Sequence, residues 1–192
     1  MLQPSVDFWE YEDRHRCQEI FEGVFLGPST ITRDSDFLIT HKISDIVISR
    51  AVKEENFLKP RKHDFPINYH VIEIDDSPIA SCMTSFEKFS SLVNHLSPDA
   101  RILVIGMTGI NRSAALVGIL GMEKFGLSVD SIIEYLISRR RCVSISQNVK
   151  RQMMEFSVTK TSYKINTEPS GEELMRTSSR KRRQDDVLVI QS

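Results

Sequence analysis

Arg101-Ile102-Leu103-Val104-Ile105-Gly106-Met107-Thr108-Gly109-Ile110-Asn111-Arg112-Ser113-Ala114-Ala115-Leu116-Val117-Gly118-Ile119-Leu120 joins two apolar runs through a short loop that carries glycines and an arginine. The first run, Arg101 to Ile105, is short and rich in β-branched residues, which suits a buried strand. The second, Ser113 to Leu120, suits a buried helix. A strand, a tight loop and a helix therefore meet here. In such a loop successive amides turn inward at the helix N-terminus, where the partial positive charge favours an anion. Arg112 adds a planar, two-pronged donor. The stretch reads as an anion cradle.

Toward the N-terminus, Glu22-Gly23-Val24-Phe25-Leu26-Gly27-Pro28 reads as a strand closed by proline, and Thr32 to Thr40 as a short helix. Asp45-Ile46-Val47-Ile48-Ser49 is the next strand. Residues 53–68 hold lysines, Pro60 and Pro66 with little periodicity, which predicts a surface connection. It leads to the strand Tyr69 to Ile74, which ends at the turn Asp75-Asp76-Ser77-Pro78. From about Ser81, Phe86, Phe89, Val93 and Leu96 recur at helical spacing until Ser97-Pro98-Asp99 stops the helix. Beyond the central helix, Gly126 breaks the pattern and Ser128 caps a helix with Val129, Ile132, Ile133, Leu136 and Ile137 on its apolar side. A last helix covers Gln147 to Lys160. Strands alternating with helices predict an α/β fold, a central mainly parallel sheet flanked by helices, with binding at the carboxyl ends of the strands.

The 192 residues, 40% hydrophobic and 27% charged, suffice for one α/β core with tails. The expected division is an N-terminal arm at 1–17, a domain at 18–160, and a disordered tail at 161–192 rich in Ser, Thr, Glu, Lys and Arg. The tail's Arg180-Lys181-Arg182-Arg183 reads as a nuclear import signal, an anionic docking patch or a solvated charge run. A formal net charge of -1 gives no general attraction for nucleic acid or anionic membrane. No apolar run is long enough to span a bilayer and Met1 to Asp7 lacks a signal-peptide pattern, so a soluble intracellular protein is expected. Three cysteines, Cys17, Cys82 and Cys142, show no metal-ligand spacing and read as reduced thiols; no metal or cofactor is expected.

Gly106 to Ser113 resembles the signature loop of the cysteine-dependent tyrosine and dual-specificity phosphatases: His-Cys, five residues, then Arg and Ser or Thr. Glu22 to Gly27, Asn56-Phe57-Leu58-Lys59-Pro60, Ile74 to Pro78, and Arg139-Arg140-Arg141-Cys142 carry the resemblance over residues 18 to 160. They point to the catalytically inactive members of that family and imply a dual-specificity-phosphatase-like fold. Near the end, Ser146-Gln147-Asn148-Val149 departs from the family's Asn-x-Gly-Phe pattern.

The resemblance also assigns roles. Gly106 stands where active members carry the nucleophilic cysteine, and Ile105 where they carry the adjacent histidine. Asp76 matches the mobile-loop general acid, while Arg112 and Ser113 match the phosphate-gripping arginine and the hydroxyl that assists the thiolate. Without a nucleophile the implied protein is no enzyme but a pseudophosphatase. Met107, Thr108, Gly109, Ile110, Asn111, Arg112 and Ser113 would bind phosphate, with Asp76 a vestigial acid. Implied partners are phosphorylated or other signalling proteins, among them mitogen-activated protein kinases or an F-box ubiquitin-ligase subunit, in cytoplasm and nucleus.

Each residue also has a purely structural reading. Asp76 before Ser77-Pro78 is a good turn residue, Arg112 can anchor the loop through carbonyls and a buried acid, and Gly106 and Gly109 can simply supply backbone freedom. Two alternatives follow: an interaction module with a vestigial pocket, or an active phosphatase whose displaced nucleophile is Cys82.

Overall fold

The computed structural model describes residues 10–167 apart from Pro78, with side chains to residue 160. Among the described residues, those up to Phe156 form one compact unit and those from Ser157 belong to a second. Five strands, β1 (Gln18–Phe21), β2 (Val24–Pro28), β3 (Asp45–Arg50), β4 (Asn68–Glu73) and β5 (Ile102–Gly106), pair in the order β1-β2-β5-β3-β4. The last four run parallel, and β1 joins β2 antiparallel. The apolar run that opens at Arg101 is therefore the central strand of the sheet. Five helices accompany the sheet: α1 (Ser35–Thr40), α2 (Met83–His95), α3 (Arg112–Phe125), α4 (Val129–Arg139) and α5 (Gln147–Thr167).

Both faces of β5 are buried, and its alternation divides the core. Ile102 and Val104 join one cluster with Phe86 and Phe89 of α2, Leu116 of α3, Leu136 of α4 and Met153 of α5. Leu103 and Ile105 join another with Phe25, Leu38 of α1, Ile48 and Leu58. Period-two burial on a central strand with helices to either side is why this run contains no polar side chain.

Several details differ from the sequence-based expectation. The helix expected at Thr32 to Thr40 is two pieces, a 3-10 turn at Ser29–Arg33 and then α1, because Asp34 accepts from Phe37 N at 2.9 Å and starts a new helix. The connection at 53–68 is not wholly superficial: Val52–Glu54 is a 3-10 turn and Leu58 is only 2% exposed. Ile137, expected on the apolar side of α4, is 40% exposed, while Arg140 beyond the helix end is buried. The helix expected to end at Lys160 continues to Thr167, seven residues into the stretch read as disordered. The rest of that tail, with Arg180 to Arg183, lies outside the described residues.

Candidate phosphate-binding site

The loop leaves β5 at Gly106 and becomes α3 at Arg112. A Cβ on Gly106 would stand 3.0 Å from Ser113 Oγ, so position 106 faces the start of α3 and the Ser113 hydroxyl. Ile105 faces the other side of the sheet, 2% exposed among Phe25, Ile48 and Leu58. The two positions to which the resemblance gives one nucleophile site thus point in opposite directions.

Two features fix the loop between them. Gly109 has φ +70°, and a Cβ there would fall 2.5 Å from the backbone C and O of Gly27, so the loop packs directly on the end of β2 at a point only glycine fits. Beneath the loop lies the Arg140 guanidinium, 0% exposed, donating to the carbonyls of Gly109 at 3.0 Å and Thr108 at 3.1 Å. Its other donors reach the carbonyls of Arg14 at 2.8 Å and Arg16 at 2.9 Å and the side-chain oxygen of Gln18. Burial pulls the Arg140 pKa below its ordinary value, and carbonyl dipoles rather than a carboxylate hold the charge. The loop's carbonyls are thereby turned down and tied.

Its amides are not tied. Among the described residues, none of the backbone amides of Met107 to Asn111 donates a hydrogen bond. Arg112 NH1 is likewise buried without a partner. The rest of that guanidinium is engaged: NH2 donates to Glu54 Oε1 at 2.6 Å, and Nε lies 3.7 Å from Asp76 Oδ2. Burial opposes the charge on Glu54, but hydrogen bonds from Arg112 and the Ala51 amide outweigh it and hold the carboxyl below the usual range.

Asp76 belongs to this constellation. The turn itself is capped by its neighbour, Asp75, whose Oδ1 accepts from Ser77 N at 2.9 Å. That leaves Asp76 to reach across, where Oδ2 accepts from Asn111 Nδ2 at 3.1 Å. Asn111 Oδ1 in turn accepts from Ser146 N at 2.9 Å, and Asn148 Nδ2 donates to Ser77 O at 2.8 Å. Asn111 thus ties the acid loop to the signature loop, and Asn148 ties it to the start of α5.

So the structure brings together Asp76, Asn111 and Arg112, sets Ser113 behind position 106, and leaves Met107 and Thr108 exposed at the rim. Sequence reading missed Glu54 and Arg140 as site residues. Nothing local distinguished Glu54 within a charged connection. Arg140 had a signal: it falls four residues after Leu136, which itself falls four after Ile132, on the buried side of α4.

None of the cysteines is primed for attack. Burial pushes the Cys82 thiol up to about 11, with Asp76 and Asp75 adding to the shift, and its Sγ contacts the Asp75 carbonyl at 3.4 Å. Burial likewise raises Cys17 and Cys142, against the opposing pull of Arg140. Among the described residues no group of His, Cys, Asp and Glu could hold a metal ion, and no helix is long and apolar enough to cross a membrane.

A glycine-containing loop between the central strand of a mainly parallel sheet and a buried helix, with an arginine as the helix's first residue and an acid loop closed over it, defines the cysteine-phosphatase architecture. Residues 24–159 match the family "Dual specificity phosphatase, catalytic domain", and the chain belongs to that family. Among curated relatives, the serine/threonine/tyrosine-interacting protein of Homo sapiens is 32% identical over 155 residues, covering 79% of this chain and 69% of the relative. Serine/threonine/tyrosine-interacting protein A of Xenopus laevis is 30% identical over 159 residues, covering 81% and 71%. The crystal structure of the human tyrosine phosphatase-like serine/threonine/tyrosine-interacting protein superposes with TM-score 0.69 at 30% identity, over 76% of this chain and 97% of that one. Human DUSP28, 16% identical with TM-score 0.64 over 76% and 95%, shares the fold.

Proposed function

We propose that this chain is a pseudophosphatase: a phosphatase-fold protein that holds phosphorylated side chains of signalling proteins and regulates them by competition, anchoring or shielding, without turnover. The observation that carries the reading is the cradle itself, five loop amides without acceptors beside the buried, unpartnered Arg112 NH1, at a position where Gly106 offers nothing to attack phosphorus. Most contacts to a phosphate in such a loop come from amides and the arginine, which survive the loss of a cysteine. That loss also removes a negative charge from beside the bound phosphate. Asp76 keeps the position of a general acid but serves here to close the loop through Asn111.

Similarity to proteins named serine/threonine/tyrosine-interacting supports protein partners, and mitogen-activated protein kinases or an F-box ubiquitin-ligase subunit, in cytoplasm and nucleus, are the classes we put forward. A Cys82-dependent phosphatase is disfavoured by that thiol's burial and raised pKa. The second reading, a vestigial pocket, draws on one observation: Glu54 already occupies one arm of Arg112 at 2.6 Å. Calorimetric titration with phosphotyrosine and phosphothreonine peptides separates the two. Saturable binding that weakens in Arg112→Ala is expected; heat that is absent, or indifferent to the substitution, leaves the vestigial pocket.

A further inference from the structure

On the face of β5 opposite the loop, Ile105 and Ile48 form part of the floor of a small open cleft. Its walls carry three cations, Arg33, Lys59 and Arg61, and the hydroxyl residues Ser29 and Thr30. None of the three cations forms an ion pair among the described residues. The adjoining carboxylates are committed elsewhere: Asp34 caps α1, and Glu55 pairs with Arg50 at 3.1 Å. Phe57, 76% exposed, lines the cleft as well. In a chain of net charge -1 this is a local concentration of uncompensated positive charge around a concave site.

We propose that this cleft is a second phosphate-binding site, separate from the loop at 106–112, that takes a phosphorylated side chain of a protein partner. Three cations and neighbouring hydroxyls exceed what the two oxygens of a carboxylate can accept and suit the three non-bridging oxygens of a dianionic phosphoryl group. A concave site suits a single such group, whereas a membrane surface would call for a flat basic face. A run of nucleotides would call for repeated aromatic platforms, and Phe57 is the single aromatic ring in the lining. Phe57 beside the cations fits a phosphorylated residue with an apolar neighbour. Because Ile105 floors this cleft and Gly106 opens the loop, the two sites lie one residue apart along β5 on opposite faces of the sheet.

The test is a residue-resolved NMR titration of the full chain with a short phosphoserine peptide carrying one apolar residue beside the phosphoserine. A matched glutamate peptide, an RNA oligonucleotide and anionic vesicles form the other arms. Saturable shifts of the Thr30, Arg33, Leu58 and Arg61 amides are expected with the phosphopeptide. They should weaken about tenfold or more when Arg33→Glu and Arg61→Glu are combined. Shifts at Thr108 to Asn111 report the loop separately, so failure of one site is distinguishable from failure of the other. Cleft amides that do not respond, that respond equally to the glutamate peptide, or that respond only to RNA or vesicles would overturn the proposal. A retained amide spectrum in the charge-reversed chain, whose changes are at exposed positions, shows that it is folded.

Discussion

Replacing Arg140 with methionine tests whether a buried cation shapes the signature loop. The side chain is 0% exposed and gives hydrogen bonds to four carbonyls, of Thr108, Gly109, Arg14 and Arg16, and to Gln18. Methionine conserves volume, so the effect is electrostatic rather than a cavity. Each buried acceptor left without a donor costs about 1–3 kcal/mol. The carbonyls of Arg14 and Arg16 can recover water if the N-terminal segment loosens, but those of Thr108 and Gly109 lie beneath the loop. Against this, methionine removes the desolvation cost of a charge whose pKa burial already depresses. The balance is a loss of about 3 kcal/mol, a factor of about a hundred in the folding equilibrium.

With a urea m-value of about 2 kcal/mol per M for a domain of this size, the midpoint should fall by about 1.5 M at unchanged m. Arg140→Lys should recover less than half, because one ammonium cannot span acceptors on two segments. Equilibrium urea unfolding followed by far-UV circular dichroism reads both. A midpoint shift in Arg140→Met under about 0.3 M would refute the idea that these carbonyls depend on the guanidinium.

Gly106→Cys alone should give little hydrolysis of an aryl phosphate, and Ile105→His with Gly106→Cys measurably more; a folded but silent double variant would show that the loop no longer fits phosphate in reacting geometry. Gly109→Ala should destabilise by at least about 2 kcal/mol by thermal or urea unfolding, since it combines φ +70° with a Cβ 2.5 Å from the Gly27 backbone. The Glu54 carboxyl is held low in the folded state, so its contribution is present above the ordinary carboxylate pKa and lost as pH falls through the lowered folded value. Stability curves of wild type and Glu54→Gln should therefore differ near neutral pH and converge on acidification below the ordinary carboxylate range; parallel curves would contradict the Arg112–Glu54 tie.

Much of the fold was legible because burial imposes a period. β5, α3 and the caps at Ser128 and Gly126 stand where apolar spacing and capping chemistry put them. The edge strand β1 was not: Gln18 and Glu19 are only half-buried, one bulge separates them from Phe21, and four residues of mixed character carry no strand signature. Arg112, Asp76 and the loop were found through a motif. Glu54 escaped because nothing sets it apart from its charged neighbours, and Arg140 because its place on the buried side of α4 signals burial but not which carbonyls it meets across the fold.

On the proposed reading, the contacts of those two residues account for a loop that keeps its shape with glycine at position 106. Arg140 ties the loop's carbonyls from beneath, and Glu54 orients one arm of Arg112. Neither contact involves position 106. A loop whose shape depended on a thiolate at position 106 could not hold with glycine there, whereas a loop fixed by Arg140 below and by the Gly109 contact with Gly27 retains its free amides. In the proposed phosphate site the carboxylates beside Arg112 would set the affinity. Glu54 and Asp76 place negative charge near the anion's position, so neutralising Asp76 should strengthen phosphate binding, while losing Asn111, which holds Asp76 at 3.1 Å, should loosen the acid loop without emptying the cradle. Asp76→Asn and Asn111→Ala, compared by phosphopeptide titration, distinguish a pocket gated by Asp76 from one that ignores it: equal affinities in both variants and wild type would mean that Asp76 contributes to loop closure alone.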